Sequence, residues 1–191
     1  MMWFTIGLLA FLLAGIAVVV YGISIYNSLV GVKHQVEQAW ANIDVLLRQR
    51  HDELPKLIDV VKGYGAYERD VLEKVTMLRA RQSGGSPDAT RLAAEDELSH
   101  AVSRILATAE AYPDLKASAT YLELQQRISR LEEQIAHRRE FYNAAVNLNN
   151  VRTEQLPDMV LAPMAGLTRK PLFVATAEQT ADIDVGGRLR A

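Results

Sequence analysis

The chain has 191 residues, a formal net charge of -2 and no cysteine. The near-neutral charge argues against a nucleic-acid-binding protein, which needs many basic side chains to neutralise phosphates. The absence of cysteine excludes disulfides, cysteine-ligated zinc sites and a cysteine nucleophile. Such a length accommodates one membrane anchor and one modest domain.

The amino-terminal stretch is apolar. No charged residue occurs from Trp3 to Ile25, and the first charged side chain is Lys33. A helix of about 20 apolar residues crosses the hydrocarbon core of a bilayer, so residues 1–26 are predicted to be a transmembrane anchor. A cleaved signal peptide is the alternative, but such peptides have a basic start and a small-residue cleavage site. Because positive charge follows the run, we expect the next domain to be cytoplasmic.

The residues after the span show an apolar period near 3.5, which is typical of a seam that faces partner helices. We expect one helix from Tyr26 to Gln82, kinked at Pro55 and loosened at Gly63 and Gly65. At about 1.5 Å per residue, the part of this helix outside the membrane is predicted to be longer than the helices that pack beside it, which leaves its membrane-proximal part without a partner in the chain. We therefore expect that part to pair with copies of the protein or with another membrane protein. The residues of this predicted seam are Leu29, Val36, Trp40, Ile43 and Leu47.

A loop around Gly84 and Gly85 separates the long helix from a predicted return helix. Ser86 is suited to cap that helix and Pro87 to occupy its first position. The return helix is expected to end near Ala111, because Pro113 restricts the residue before it to extended conformations.

A third helix is expected from Ser118 to Asn150, where apolar residues again recur at helical spacing. The predicted fold is all-α: a transmembrane helix that continues into a long-helix antiparallel bundle of three or four helices. The bundle is expected over residues 27–157, and residues 158–191 are expected to be an extended segment and a mobile tail.

Motifs for catalysis are missing from the sequence. Glu97 and His100 have the Glu-x-x-His spacing of di-iron bundles, but such sites need a second motif and two further inward glutamates. A solvated helix face is the preferred interpretation, and a metal-binding bundle is a remote alternative. Phosphate-binding loops and hydrolase motifs are also absent. We predict no enzymatic activity and no cofactor. A structural polar network that fixes helix register is expected from Asp44, Arg50 and Arg138.

Three segments in series carry a resemblance to a known family. Ala39–Arg50 contains Ala-Trp-x-x-Ile-Asp-Val followed by a basic pair, Ala109–Ala117 reads Ala-Glu-Ala-Tyr-Pro-Asp-Leu-Lys-Ala, and Arg139-x-x-Tyr-Asn follows. Together they resemble the LemA family. The signature residues that match it are Tyr26, Asn27, Trp40, Asp44, Pro55, Lys62, Tyr64, Tyr112, Pro113, Tyr142 and Asn143.

The resemblance implies a single-pass protein of the bacterial inner membrane, with a short outer N-terminus and a cytoplasmic bundle. It implies no defined activity. We therefore expect a non-enzymatic scaffold that self-associates through its membrane-proximal helix and presents its bundle to partners. The expected partners are the lipid bilayer, copies of the protein and other membrane proteins. An adaptor or sensor that modulates a signalling or protease partner is the alternative, with Pro55, Gly63 and Gly65 as its bistable element.

Overall fold

The computed structural model describes residues 2–63, 69–80 and 87–173. Within these ranges every regular element is a helix, which confirms the predicted all-α fold. The elements are α1 (Met2–Gly63), α2 (Arg69–Ala80), α3 (Ala89–Ala109), α4 (Pro113–Lys116), α5 (Ala119–Glu154) and α6 (Asp158–Leu161).

Helix α1 carries both the apolar span and the first core helix. Side chains from Met2 to Tyr21 are exposed, and this part of α1 is long and apolar enough to cross a membrane. From Ile25 onward, the helix buries a stripe at spacings of three, four and seven residues, as one face of a helix requires. The stripe comprises Ile25, Leu29, Val32, Val36, Ile43, Leu47, Arg50, Leu54, Leu57, Ile58 and Val61. The helix therefore joins span to bundle without a break.

The long helix is shorter than predicted. It continues through Pro55 to Gly63, and α2 is described from Arg69. Lys74 of α2 lies 3.4 Å from Glu97, two residues after the Glu95 that pairs with Arg50 of α1, so α2 turns back beside α1 and does not prolong it. The expectation of one helix reaching Gln82 is therefore wrong. The apolar rhythm resumes after Gly63, but a period near 3.5 is the same in one long helix and in two shorter ones.

The direction of α3 also differs from the prediction. Arg91, near the start of α3, lies 2.5 Å from Asp44 on α1, and Ser99, two turns later, lies 2.6 Å from Arg50. Positions on both helices advance together, so α3 runs parallel to α1. The return helix is α2, which packs closely on α3.

Helix α5 runs antiparallel to α1 along most of its length. Arg50 meets Glu132 at 2.9 Å, and Ser28 meets Arg152 at 3.0 Å. The closest backbone approaches are within the α1/α5 pair and within the α2/α3 pair. These two pairs form an up-down-up-down bundle and meet through side chains.

The helix starts are set by local capping. Asp88, not the predicted Ser86, caps α3 by accepting a hydrogen bond of 2.7 Å from the backbone N–H of Arg91; Ser86 lies outside the described residues. Ser118, near which the third helix was expected to begin, caps α5 by accepting a hydrogen bond from the backbone N–H of Tyr121.

The core has a distal and a proximal part. The distal cluster is aliphatic and joins α1, α2, α3 and α5; its members include Leu54, Leu57, Val61, Val75, Leu78, Leu98, Val102, Ile105 and Ile128. The proximal part consists of two clusters, both of which include residues of the segment 162–173, which we call the strap. One cluster contains Val36, Ile43, Leu47, Leu92, Ile135, Tyr142, Val146 and Phe173, and the other contains Ile25, Leu29, Val32, Ala162, Ala165 and Leu167.

The strap changes the interpretation of the predicted seam. Leu29 and Ile43 are 0% exposed and Val36 is 5% exposed. Trp40 is partly buried against the cluster that contains Val36 and Ile43. The expectation that this face lacks a partner within the chain is wrong, because α5 and the strap cover it. The part of the strap from Pro171 to Phe173 lies against the bundle, and the tail beyond it is outside the described residues.

Candidate functional site: a buried charge network beneath the strap

Arg50 is the centre of a charge network between the two helix pairs. Its side chain is 0% exposed and forms ion pairs with Glu95 of α3 and with Glu132 of α5. One guanidinium nitrogen also donates to the Ser99 hydroxyl at 2.6 Å, and that hydroxyl donates to Glu132 at 2.9 Å. A planar guanidinium suits such multiple recognition, since its donors are held in a fixed fork. Arg50 therefore connects three helices.

A second set of charges extends the network towards the membrane. Asp44 accepts from Arg91 at 2.5 Å and from Arg48 at 2.6 Å. The Arg91 guanidinium also lies 4.8 Å from the ring centre of Trp40, a distance at which a cation and an aromatic face attract. Trp40 therefore packs against this network and is not part of an exposed seam.

The third arginine of the network is Arg139. It donates to Asp96 at 2.6 Å and lies 4.7 Å from the ring centre of Phe173 in the strap. Arg138, which the sequence analysis placed in the network, is exposed and lies over Phe141 instead. The prediction failed because positions three and four residues after buried Ile135 both fit one helix face.

Burial decides the electrostatics of this region. Burial raises the pKa of the Glu95 carboxyl, against the opposing effect of the Arg50 charge and its hydrogen bond. Burial also lowers the pKa of Arg139, against the opposing effect of Asp96. Three buried or partly buried cations share the space with four carboxylates, so each charge depends on its neighbours. Removing one member would leave another charge desolvated.

The strap is held to α5 by asparagine side chains. The Asn143 amide donates to the carbonyl of Phe173 and accepts from its N–H, each at 2.9 Å. Asn150 makes the same pair of bonds with Lys170, at 3.0 and 2.9 Å, and Asn149 donates to the Thr168 carbonyl at 2.8 Å. An extended segment has no helix bonds of its own, so these amides satisfy its backbone groups. Tyr142 adds a bond from its hydroxyl to the Pro171 carbonyl.

A cleft of about 340 Å³ opens beside the strap. Its lining includes three charged side chains, Lys33 and Glu37 of α1 and Lys170 of the strap, together with Trp40. Gly166 turns the strap there with a φ of 73°, and a Cβ atom at this position would lie 3.3 Å from the Lys33 ammonium. A glycine therefore suits both the backbone and the space at this turn.

The alternative of a metal site would require further ligands beside Glu97 and His100. Glu97 forms an ion pair with Lys74 at 3.4 Å. In the part of the chain that the structure describes, no group of three or more His, Asp or Glu side chains is placed to hold a metal.

A comparison with known protein families identifies the family of this chain. A family model described as LemA family matches residues 39–186, which include α3, α5 and the strap. The chain belongs to the LemA family. The resemblance that the sequence motifs carried is thereby confirmed.

Three relatives show how far the similarity of this LemA-family chain extends. It is 27% identical over 162 residues to protein LemA of Metamycoplasma hominis, which covers 83% of this chain and 73% of that protein. It is 23% identical over 174 residues to magnetosome protein MamQ 2 of Paramagnetospirillum magneticum, and 22% identical over 174 residues to magnetosome protein MamQ of Magnetospirillum gryphiswaldense. Each of the latter matches covers 78% of this chain but only 64% of the relative.

The family-signature residues divide between the network and the helix ends. Trp40, Asp44, Tyr142 and Asn143 hold the network and the strap; Trp40 and Tyr142 stack with ring centres 5.7 Å apart. Pro113 is the first residue of α4, with Tyr112 extended before it. The remaining positions are Tyr26 and Asn27 at the end of the span, Pro55 inside α1, exposed Lys62, and Tyr64, which lies outside the described residues.

Sequence reasoning missed Glu95, Ser99, Glu132 and Arg139 as members of the network. The signal for Glu95 was present, since it lies three residues before Leu98 and three after Leu92, both buried. An acidic residue inside an apolar stripe indicates a buried partner of opposite charge.

Proposed function

We propose that this LemA-family protein is a non-enzymatic membrane scaffold that presents the outer face of α5 to a protein partner. The observation that carries the proposal is the continuity of α1, which includes both the exposed apolar span and the buried core stripe. A helix without a linker holds the bundle at a fixed height above the bilayer. The arginines of the network, Arg50, Arg91 and Arg139, each pair with a carboxylate of another helix, which supports a structural role for them.

The proposed partner surface is apolar and lies on α5. Phe141, Leu148 and Val151 are 54%, 40% and 45% exposed, and their spacing of seven and three residues places them on one helix face. The His137 ring lies 5.1 Å from the Phe141 ring, and Arg138 lies over the other part of it. Aromatic and arginine side chains are enriched at protein–protein interfaces. The predicted seam on α1 is not proposed for this role, because α5 and the strap cover it.

Photo-crosslinking in intact membranes tests this surface. A photoreactive phenylalanine analogue is incorporated at Phe141 or Leu148 of the full chain, and at Glu133 as the matched control on an exposed position of the same helix. We expect protein adducts from the first two positions and a background signal from the third. Two differently tagged copies, followed by mass spectrometry, show whether the adduct is the same protein or another.

The scaffold proposal is contradicted if positions 141 and 148 give no more adduct than position 133. It is also contradicted if the purified protein turns over a substrate and this activity is lost when a network residue such as Ser99 is replaced.

We also propose that the bundle is on the cytoplasmic side of a bacterial inner membrane. Lys33 and Arg48 follow the apolar span and no basic side chain precedes it, which supports this orientation. Because the chain has no cysteine, a single cysteine at exposed Gln38 reports the side directly. We expect it to react with a membrane-impermeant thiol reagent only after the cells are opened. Equal labelling in intact cells would show that the bundle lies on the outer side of the membrane and would contradict the proposed orientation.

A further inference from the structure

A small apolar surface surrounds the place where α1 leaves its exposed span. Leu156, Met159, Val160 and Met164 are 74%, 46%, 66% and 72% exposed. Asp158 and Ala162, which lie between them, are buried, and Ala162 packs together with the following Ala165 and Leu167 against Ile25, Leu29 and Val32 of α1. The segment from Leu156 to Met164, which we call the collar, is therefore amphipathic, with one side on α1 and the other open.

The register of α5 against α1 fixes the height of the collar. Arg152 of α5 donates to Ser28 of α1 at 3.0 Å. Because α5 runs antiparallel to α1 and ends at Glu154, the collar follows beside the part of α1 around Ser28, where Leu161 and Ala162 pack with Ile25, Leu29 and Val32. This part of α1 directly follows the uncharged stretch whose side chains are exposed from Met2 to Tyr21. The open side of the collar is thus continuous with the apolar surface of the span.

The polar groups of the collar are turned away from its open side. The Asp158 carboxylate is buried; it forms an ion pair with Arg152 and accepts from the Gln155 amide at 3.0 Å. Basic side chains flank the segment: Arg169 is exposed and pairs with Glu154, and Lys33 and Lys170 line the neighbouring cleft. A surface that lies in a membrane interface combines these features, because apolar side chains enter the acyl boundary and cations meet lipid phosphates.

We propose that the collar is a second membrane contact, inserted into the headgroup boundary of the bilayer beside α1. This inference rests on the proposed function in one respect, namely that α1 crosses the membrane. The occupant is lipid and not a second copy of the chain, since a standard protein interface uses about 20–30 residues on each side and the collar is far smaller. The contact would fix the tilt and rotation of the bundle against the membrane.

Depth-dependent fluorescence quenching tests the collar in the full chain. Since the chain has no cysteine, single cysteines are introduced at Val160 and Met164 and labelled with an environment-sensitive dye. Ile23 in the span is the positive control, and Leu122, a 40% exposed apolar residue near the far end of α5, is the negative control. Each protein is reconstituted into nanodiscs with and without lipids that carry a shallow spin-label quencher.

We expect the dye at positions 160 and 164 to lose about half of its intensity with the quencher, because such segments enter only about 5–10 Å into the bilayer. The dye at Leu122 should lose none. Quenching at Ile23 without quenching at positions 160 and 164 would contradict the proposed membrane contact of the collar but not the membrane-spanning role of α1. No quenching at Ile23 would overturn the span and the collar together. If position 160 is not quenched and the same variant, left unlabelled, forms a disulfide between two copies, the surface is a protein interface and the proposal is overturned.

Discussion

The two ends of the bundle are closed by different means, although α1 runs through both. At the distal end, α1 packs with α2, α3 and α5 through an aliphatic cluster. At the proximal end, α1 and α5 are covered by the strap, which forms turns over residues 162–166 and whose residues 168–173 are attached to α5 by the side chains of Asn143, Asn149 and Asn150. The Arg50 network lies between the two parts.

The difference shows how a short chain covers a long helix. A helix needs a broad apolar stripe to bury, whereas an extended segment spans about 3.3 Å per residue and covers the same length with fewer residues. Its backbone polar groups then need partners from outside the segment. We therefore expect stability of the distal end to depend on apolar volume and that of the proximal end on specific hydrogen bonds.

The largest effect is expected at the boundary between the two ends. Arg50→Met should destabilise the bundle by about 3–5 kcal/mol, because it leaves the Glu95 carboxyl buried without its partner. The measurement is thermal unfolding in detergent followed by circular dichroism. Burial raises the pKa of Glu95, so the folded state binds the proton more tightly than the unfolded state. The loss should therefore be smaller at pH 5 than at pH 8.

Arg48→Met is the matched control, since Arg48 is largely exposed and should tolerate the change. The double variant Arg50→Met with Glu95→Leu should recover part of the lost stability. A double variant less stable than the single one would contradict this explanation.

The distal end should respond to lost volume. Leu98→Ala removes a side chain that is 0% exposed in the aliphatic cluster and should cost about 2–5 kcal/mol. Leu122→Ala, at a 40% exposed position, provides the comparison and should change the unfolding midpoint little. Equal effects from the two variants would show that the distal cluster is not the core.

The proximal end should open locally when its hydrogen bonds are lost. Asn143→Ala removes two bonds to Phe173 and should cost about 1–3 kcal/mol. Hydrogen exchange should accelerate at the backbone amide of Phe173 but stay slow in α3. Accelerated exchange across the whole bundle would instead indicate that strap and helices unfold as one unit.

The smallest effect is expected at high pH. Burial raises the pKa of Tyr142 to about 12. An unfolded tyrosine loses its proton near pH 10, so the unfolded state is favoured as the pH rises above that value. Between pH 9 and pH 11 the wild type should lose about 1 kcal/mol more stability than Tyr142→Phe, which cannot ionise. Parallel pH curves for the two proteins would exclude this contribution.

Much of the fold could be predicted from local patterns. The charge-free run before Lys33 predicted the apolar span, and the stripe through Ile128, Ile135 and Tyr142 predicted α5. Each of these depends on spacing within one segment, which the sequence contains directly.

Other features depended on contacts between distant segments. Nothing local decides whether the rhythm after Gly63 belongs to the same helix or to a new one, and the wrong choice reversed the direction of α3. The same limit applied to the strap, because its asparagine partners lie about 20–30 residues away, so the predicted seam was assigned to a partner outside the chain. Arg138 and Arg139 both fit the buried helix face by spacing, and only the packing of the helices decides that Arg139 enters the network.

The central claim is that the strap covers the proximal face of α1. Single cysteines at Val36, which is 5% exposed, and at the adjacent exposed Gln35 test it in nanodiscs. The cysteine at position 36 should react with a small thiol reagent much more slowly than that at position 35, and Asn143→Ala should speed only the former. Equal rates at the two positions in the unaltered bundle would contradict the account.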